Sequence, residues 1–184
     1  MRNKLIRLKD ILNEAEYETK TTSADMPELE DAFSDLEKDI KRVDLDAPES
    51  EAIGLTLAGV ALSLPEIIKL IGKFVNLLKK IPGLKKLSGD RLIAIGDHYH
   101  HKITDAFTFI IKKAGVKDQA KAKKFANILH HVIIAMLLIA GGTSMANYAN
   151  KGNIAGATLK GALNAVKTGE IRAFIIKAAS ELAA

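Results

Sequence analysis

The side chains in this chain best suited to chemistry near neutral pH are its five histidines, because an unperturbed imidazole titrates at about 6.5. His98 and His101 stand three apart, a spacing that lets both share one helical face and hold two positions of a metal ion. His130 or His131 could add a third position if the helices pair. No acidic cluster and no cysteine completes such a set, so no metal and no other cofactor is expected. His130 and His131 border a charge-free run whose burial their protonation would oppose. That makes His98, His101, His130 and His131 candidates for a pH-sensitive contact.

The acids offer less. After residue 51 they are Glu66, Asp90, Asp97, Asp105, Asp118, Glu170 and Glu181, scattered and placed as caps or surface charges. The sequence holds no nucleophile elbow, phosphate loop or metalloprotease motif. Gly141, Gly142, Thr143 and Ser144 have no strand before them and no lysine at the required place after them. The reading is a non-enzyme with no small-molecule substrate. Lys112, Lys113, Lys117, Lys121, Lys123 and Lys124 form a basic cluster at an expected helix junction and are candidate phosphate contacts. Without arginine, and with no exposed aromatic expected beside them, they would hold nucleic acid non-specifically, by its backbone.

Abundant Ala, Leu, Ile and Lys, four prolines and no tryptophan predict an all-α chain. Charge divides it in two. Residues 1–51 carry 8 Lys/Arg against 15 Asp/Glu, a net −7, which leaves 19 against 7, a net +12, for residues 52–184. The expected organisation is a multi-helix bundle, with an acidic N-terminal arm of two short amphipathic helices over 1–51 and a basic apolar helical body over 52–184. In the arm, Leu5, Leu8, Ile11 and Leu12 share one face, and Leu29, Phe33, Leu36 and Ile40 another.

In the body, Ala52 to Pro65 is uncharged and leads into a basic amphipathic helix whose lysine face is Lys69, Lys73, Lys79 and Lys80. That face could lie on an anionic membrane. Pro65 either opens this helix or sits within a continuous one. One helix is expected from Arg91 to Gly115, striped by Leu92, Ile95, Tyr99, Ile103, Ala106 and Ile110 and capped by Ser88 or Asp90. A second follows the cap at Asp118, and two more divide near Gly169. Small residues at Gly152, Ala155, Gly156, Gly161 and Ala162 would allow helices to approach closely.

Residues 125–150 contain no Asp, Glu, Lys or Arg, long enough to span a bilayer. Yet the strongly apolar part is only Val132 to Ala140, with Val132, Ile133, Ile134, Met136, Leu137, Leu138 and Ile139 at its heart. A span would also have to carry Asn127, His130, His131, Thr143, Ser144 and Asn147, each costly in lipid unless paired. A buried core helix is the expectation.

One resemblance bears on function. "LIRLKDILNEAEYE", residues 5–18, resembles the N-terminal leader of internal head proteins in large contractile-tailed bacteriophages. That leader is a short amphipathic helix ending in an apolar residue, any residue, Glu and a small residue, and Leu12, Asn13, Glu14 and Ala15 fill the pattern. The resemblance implies processing between Glu14 and Ala15 by the family's maturation protease. The body, "GDHYHHKITDAFTFIIKKAGVKDQAKAKKFANILHHVIIAMLLIAGG", is similar in style to structural proteins of marine relatives. It implies a capsid- or tail-associated virion protein, whether internal and ejected with DNA or not, that meets other virion proteins or copies of itself. The alternative is a pore-forming or holin-like protein of the host membrane that inserts residues 52–80 and 125–150.

Overall fold

The computed structural model describes residues 26–45, 57–142 and 157–184; the leader pattern at Glu14 and Ala15, and Gly152, Ala155 and Gly156, lie outside them. Among the described residues the chain is all-helical, with seven α-helices and no strand. They are α1 (Pro27–Lys41), α2 (Leu57–Leu78), α3 (Gly89–His98), α4 (His100–Lys113), α5 (Gln119–Ala140), α6 (Ala157–Thr168) and α7 (Ile171–Ala183), with a single 3-10 turn at Leu84–Lys86. The sequence sets the helix boundaries by local rules. Pro27 sits in the first turn of α1, where its missing N–H costs nothing, and Glu28 and Glu30 there and Lys38 and Lys41 in its last turn complement the helix dipole. The Ser88 hydroxyl accepts the Arg91 N–H and the Asp118 carboxylate accepts the Lys121 N–H, capping α3 and α5. Gly83, Gly115 and Gly169 take the positive φ that ends or links helices.

Helix α5 is the axis of the bundle: it packs against α2, α3, α4, α6 and α7. Its residues from Val132 to Leu138 are all buried, while Ile139 is exposed and Ala140 half-buried at the end of the apolar stretch. Around it, amphipathic helices turn their apolar sides inward. In α2 these are Val60, Leu64, Ile67, Leu70, Ile71, Phe74 and Leu78, while Lys69, Lys73, Lys79 and Lys80 are exposed. Pro65 lies inside α2 rather than at its start. Pro65 itself and Ala61, whose carbonyl loses its partner, are both exposed, so water can satisfy that carbonyl.

The acidic arm contributes to this core. Leu29, Ala32, Phe33, Leu36 and Ile40, the helical stripe of α1, are buried against α2 and α4. Phe33 lies 5.0 Å from Phe74 and stacks on Tyr99 at 4.3 Å with the rings nearly parallel. Tyr99 also marks the one clear departure from the expected helix order. The stripe Leu92, Ile95, Tyr99, Ile103, Ala106 and Ile110 is buried throughout, but the helix is not continuous: α3 stops at His98 and α4 starts at His100. Periodicity survives such a break because both helices bury the same side. What it cannot register is tertiary demand at Gly96, where a Cβ would come within 2.8 Å of Ile134 and where α3 meets α5 at close range.

Candidate functional site

The break between α3 and α4 builds the one buried ionisable cluster among the described residues. Within a continuous helix the Gly96 carbonyl would accept the N–H of His100; here it accepts the Tyr99 N–H at 3.2 Å and stays open sideways. His130, fully buried on α5, places Nε2 3.0 Å from that oxygen. A carbonyl can only accept, so Nε2 carries the proton and Nδ1 of neutral His130 is an acceptor. Facing it at 3.1 Å is Nδ1 of His100 on α4, which therefore donates, with the two rings perpendicular and 4.5 Å apart. His131 donates from Nδ1 to the Asn127 carbonyl at 2.7 Å, one turn back on its own helix.

The electrostatics follow from this placement. Burial drives the His130 imidazole down to about 4; the Gly96 carbonyl opposes that shift, and the neighbouring His100 and His131 add to it. Asp97, on the α3 side, has its carboxyl raised above the usual carboxylate value by partial burial, which the neighbouring His100 and His131 oppose only in part. The contact between the two rings needs one Nδ1 to donate and the other to accept; two N–H donors would face each other across 3.1 Å. His100, half-buried, is the member nearer solvent.

The sequence had singled out His98, His101, His130 and His131. The structure brings together His130 and His131 but leaves His98 and His101 exposed, so the three-residue spacing does not form a paired ligand face with His130. The histidine that does face His130 is His100, which went unnoticed because spacing within one helix cannot show a partner on another. Among the described residues no three His, Asp or Glu side chains are arranged to hold a metal ion.

The lysines fall into two kinds. On α2, Lys73 pairs with Asp39 of α1 at 3.2 Å and Lys69 with Glu66 at 3.5 Å, whereas Lys79 and Lys80 stand exposed at the helix end. An open groove between α1 and α2, lined by Asp35, Lys38, Asp39, Arg42 and Lys73, has most of its charge taken up by the pairs Lys38–Asp35 and Lys73–Asp39. At the α4–α5 turn, Lys112, Lys113, Lys117, Lys123 and Lys124 are exposed and Lys121 half-buried. The expectation that no aromatic is exposed there is corrected. Phe109 is 45% exposed, one helical turn before Lys113, whose Nζ lies 5.2 Å from its ring centre. The buried side of α4 runs through Ile103, Ala106, Phe107, Ile110 and Ile111 and leaves position 109 outside.

Comparison with protein-family models, with curated proteins and with solved structures finds no match to this chain.

Proposed function

We propose that the protein is a non-enzymatic helical structural protein of a bacteriophage virion, associated with capsid or tail and built to meet copies of itself or other virion proteins. The observation that carries the reading is the pattern at Leu12, Asn13, Glu14 and Ala15, set ahead of an acidic helix that packs on a basic body. The described ionisable groups are consistent with a packing role: the buried ones spend their hydrogen bonds inside the bundle, and the exposed ones spread along helix faces. Co-expression with the maturation protease of a large contractile-tailed phage tests it. Intact mass should show loss of residues 1–14, and Glu14→Gln should prevent the loss. A chain left whole by the active protease, or one cut equally in the Gln variant, overturns the processing on which the reading rests.

A second reading is favoured by α5 itself. Among the described helices, Gln119–Ala140 is long and apolar enough to cross a bilayer, although 67% of its most apolar window is buried inside the bundle. In this reading the amphipathic helices store α5 until a membrane is met. Flotation with anionic and neutral liposomes at pH 7.5 and 5.5, followed by a salt wash, separates the two. Salt-resistant flotation supports insertion; protein that stays in the aqueous fraction at both pH values removes it.

A further inference from the structure

The thirteen residues from Lys112 to Lys124 hold six lysines and one acid, and the fold gathers them at one end of the α4–α5 hairpin. The acid, Asp118, is committed to capping α5 through the Lys121 N–H at 3.0 Å. Lys113 reaches Asp44 at 3.7 Å and the Val43 carbonyl at 3.4 Å. Among the described residues no carboxylate pairs with Lys112, Lys117, Lys121, Lys123 or Lys124.

Their positions work against the fold. Lys121, Lys123 and Lys124 lie in the first two turns of α5, where the helix dipole is already positive, and Lys121 and Lys124 are like charges three apart. Lysines needed only for solubility would be better placed at the other end of the helix. At a rise of about 1.5 Å per residue, all six lie within about 9 Å of a helix end along the axis, and Phe109 lies one further turn back. A ring 45% exposed beside a lysine is therefore joined to a concentrated field of positive charge.

We propose that this end of the hairpin binds single-stranded nucleic acid, its lysines holding phosphates and Phe109 offering a ring on which a base stacks. Charge and apolar area together favour this partner over a bilayer. Among the described residues, Phe109 and Leu62 are the large exposed apolar residues near this end: Leu62 stands three residues after Gly59, which packs on the Ala114 carbonyl and Val116, whereas Ile139 lies about 22 Å farther along α5 than Lys124. Two side chains offer little surface to lipid. For a strand one ring beside the lysines is enough, because every base has a face to stack and each phosphate contact releases counterions whatever the sequence.

The test is fluorescence anisotropy of the full chain with labelled 30-nucleotide oligo(dT) and a 30-base-pair duplex at about 50 and 200 mM salt. With about five phosphate contacts at a slope of about 0.7 each, affinity for oligo(dT) should fall roughly 100-fold between the two salts. The triple variant Lys121→Gln, Lys123→Gln and Lys124→Gln should lower that slope by about 2. Phe109→Ala should weaken oligo(dT) about fivefold and leave the duplex unchanged. Lys79→Gln with Lys80→Gln, at the end of α2, serves as the control for net charge, and circular dichroism confirms that each variant folds. Failure to bind oligo(dT) at tens of micromolar protein in low salt overturns the proposal. So does an equal loss in the control, or oligo(dT) binding that Phe109→Ala leaves intact. Adsorption to phosphatidylglycerol vesicles without oligo(dT) binding would assign the surface to membranes instead.

Discussion

Acid should weaken this fold through His130, by an amount the structure lets one calculate. The folded imidazole is held down to about 4, against about 6.5 in the unfolded chain. Above pH 6.5 both states are neutral and the group is silent. As pH falls below 6.5 the unfolded state takes up a proton that the folded state refuses, so stability declines until the folded group also titrates near 4. Linkage then puts the loss at about 1–2 kcal/mol at pH 5.5, approaching about 3 kcal/mol at pH 4. For a chain of this length the first figure corresponds to a midpoint lower by about 3–6 °C. Urea unfolding followed at 222 nm at pH 7.5 and 5.5 measures it. His130→Gln supplies the comparison, because glutamine keeps an N–H for the Gly96 carbonyl and an oxygen for His100 but does not titrate. The variant can be less stable at both pH values; the difference between them should shrink by about 1–2 kcal/mol. Equal losses in wild type and variant would refute the reasoning, as would an NMR titration of the His130 ring near 6.5.

Other perturbations address the packing. Phe33→Ala should cost about 3–5 kcal/mol, because Phe33 is enclosed by Phe74 and Tyr99; the chain should then unfold at lower urea, and α1 should become the first site of limited proteolysis. Gly96→Ala should cost about 1–3 kcal/mol through overlap with Ile134, and measurably less in an Ile134→Ala background, the sign of a shared contact. Asp118→Ala should remove the α5 cap at a cost of about 1 kcal/mol in thermal unfolding. Light scattering at micromolar concentration should return a multiple of 19.9 kDa, and a steady 19.9 kDa monomer would end the expectation of self-association.

Helix by helix, the sequence carried what depends on neighbours within one element. The stripe of Leu29, Phe33, Leu36 and Ile40, the cap at Asp118 and the division at Gly169 could be read from residue type and spacing and are present, and of the two cap candidates Ser88 and Asp90 it is Ser88 that serves. What could not be read depends on two elements meeting. His100 was hidden because its partner is thirty residues away, and the break at Tyr99 because both halves keep one buried side. Phe109 was hidden because the stripe of Ile103, Ala106 and Ile110 tells which side of the helix is buried, not whether a neighbouring helix covers the position beside it. The lysines at the α4–α5 turn were legible as a cluster, but not their freedom from carboxylates.

The histidine pair also bears on what α5 can do at a bilayer. Acid makes the bundle a poorer place for His130, because its buried site disfavours the charged ring. It makes lipid a poorer place for the same reason, because a charged imidazole is costly there too. Protonation therefore loosens the fold without pulling the helix into a membrane. The stretch that stays apolar at any pH begins only after His131 and runs from Val132 to Gly142. At about 1.5 Å per residue it measures roughly 16 Å, about half the thickness of a hydrocarbon core. Helix α5 spans lipid only with His130 neutral, and a neutral His130 is the condition under which the bundle holds it best. That coincidence favours a helix kept for packing over one stored for insertion.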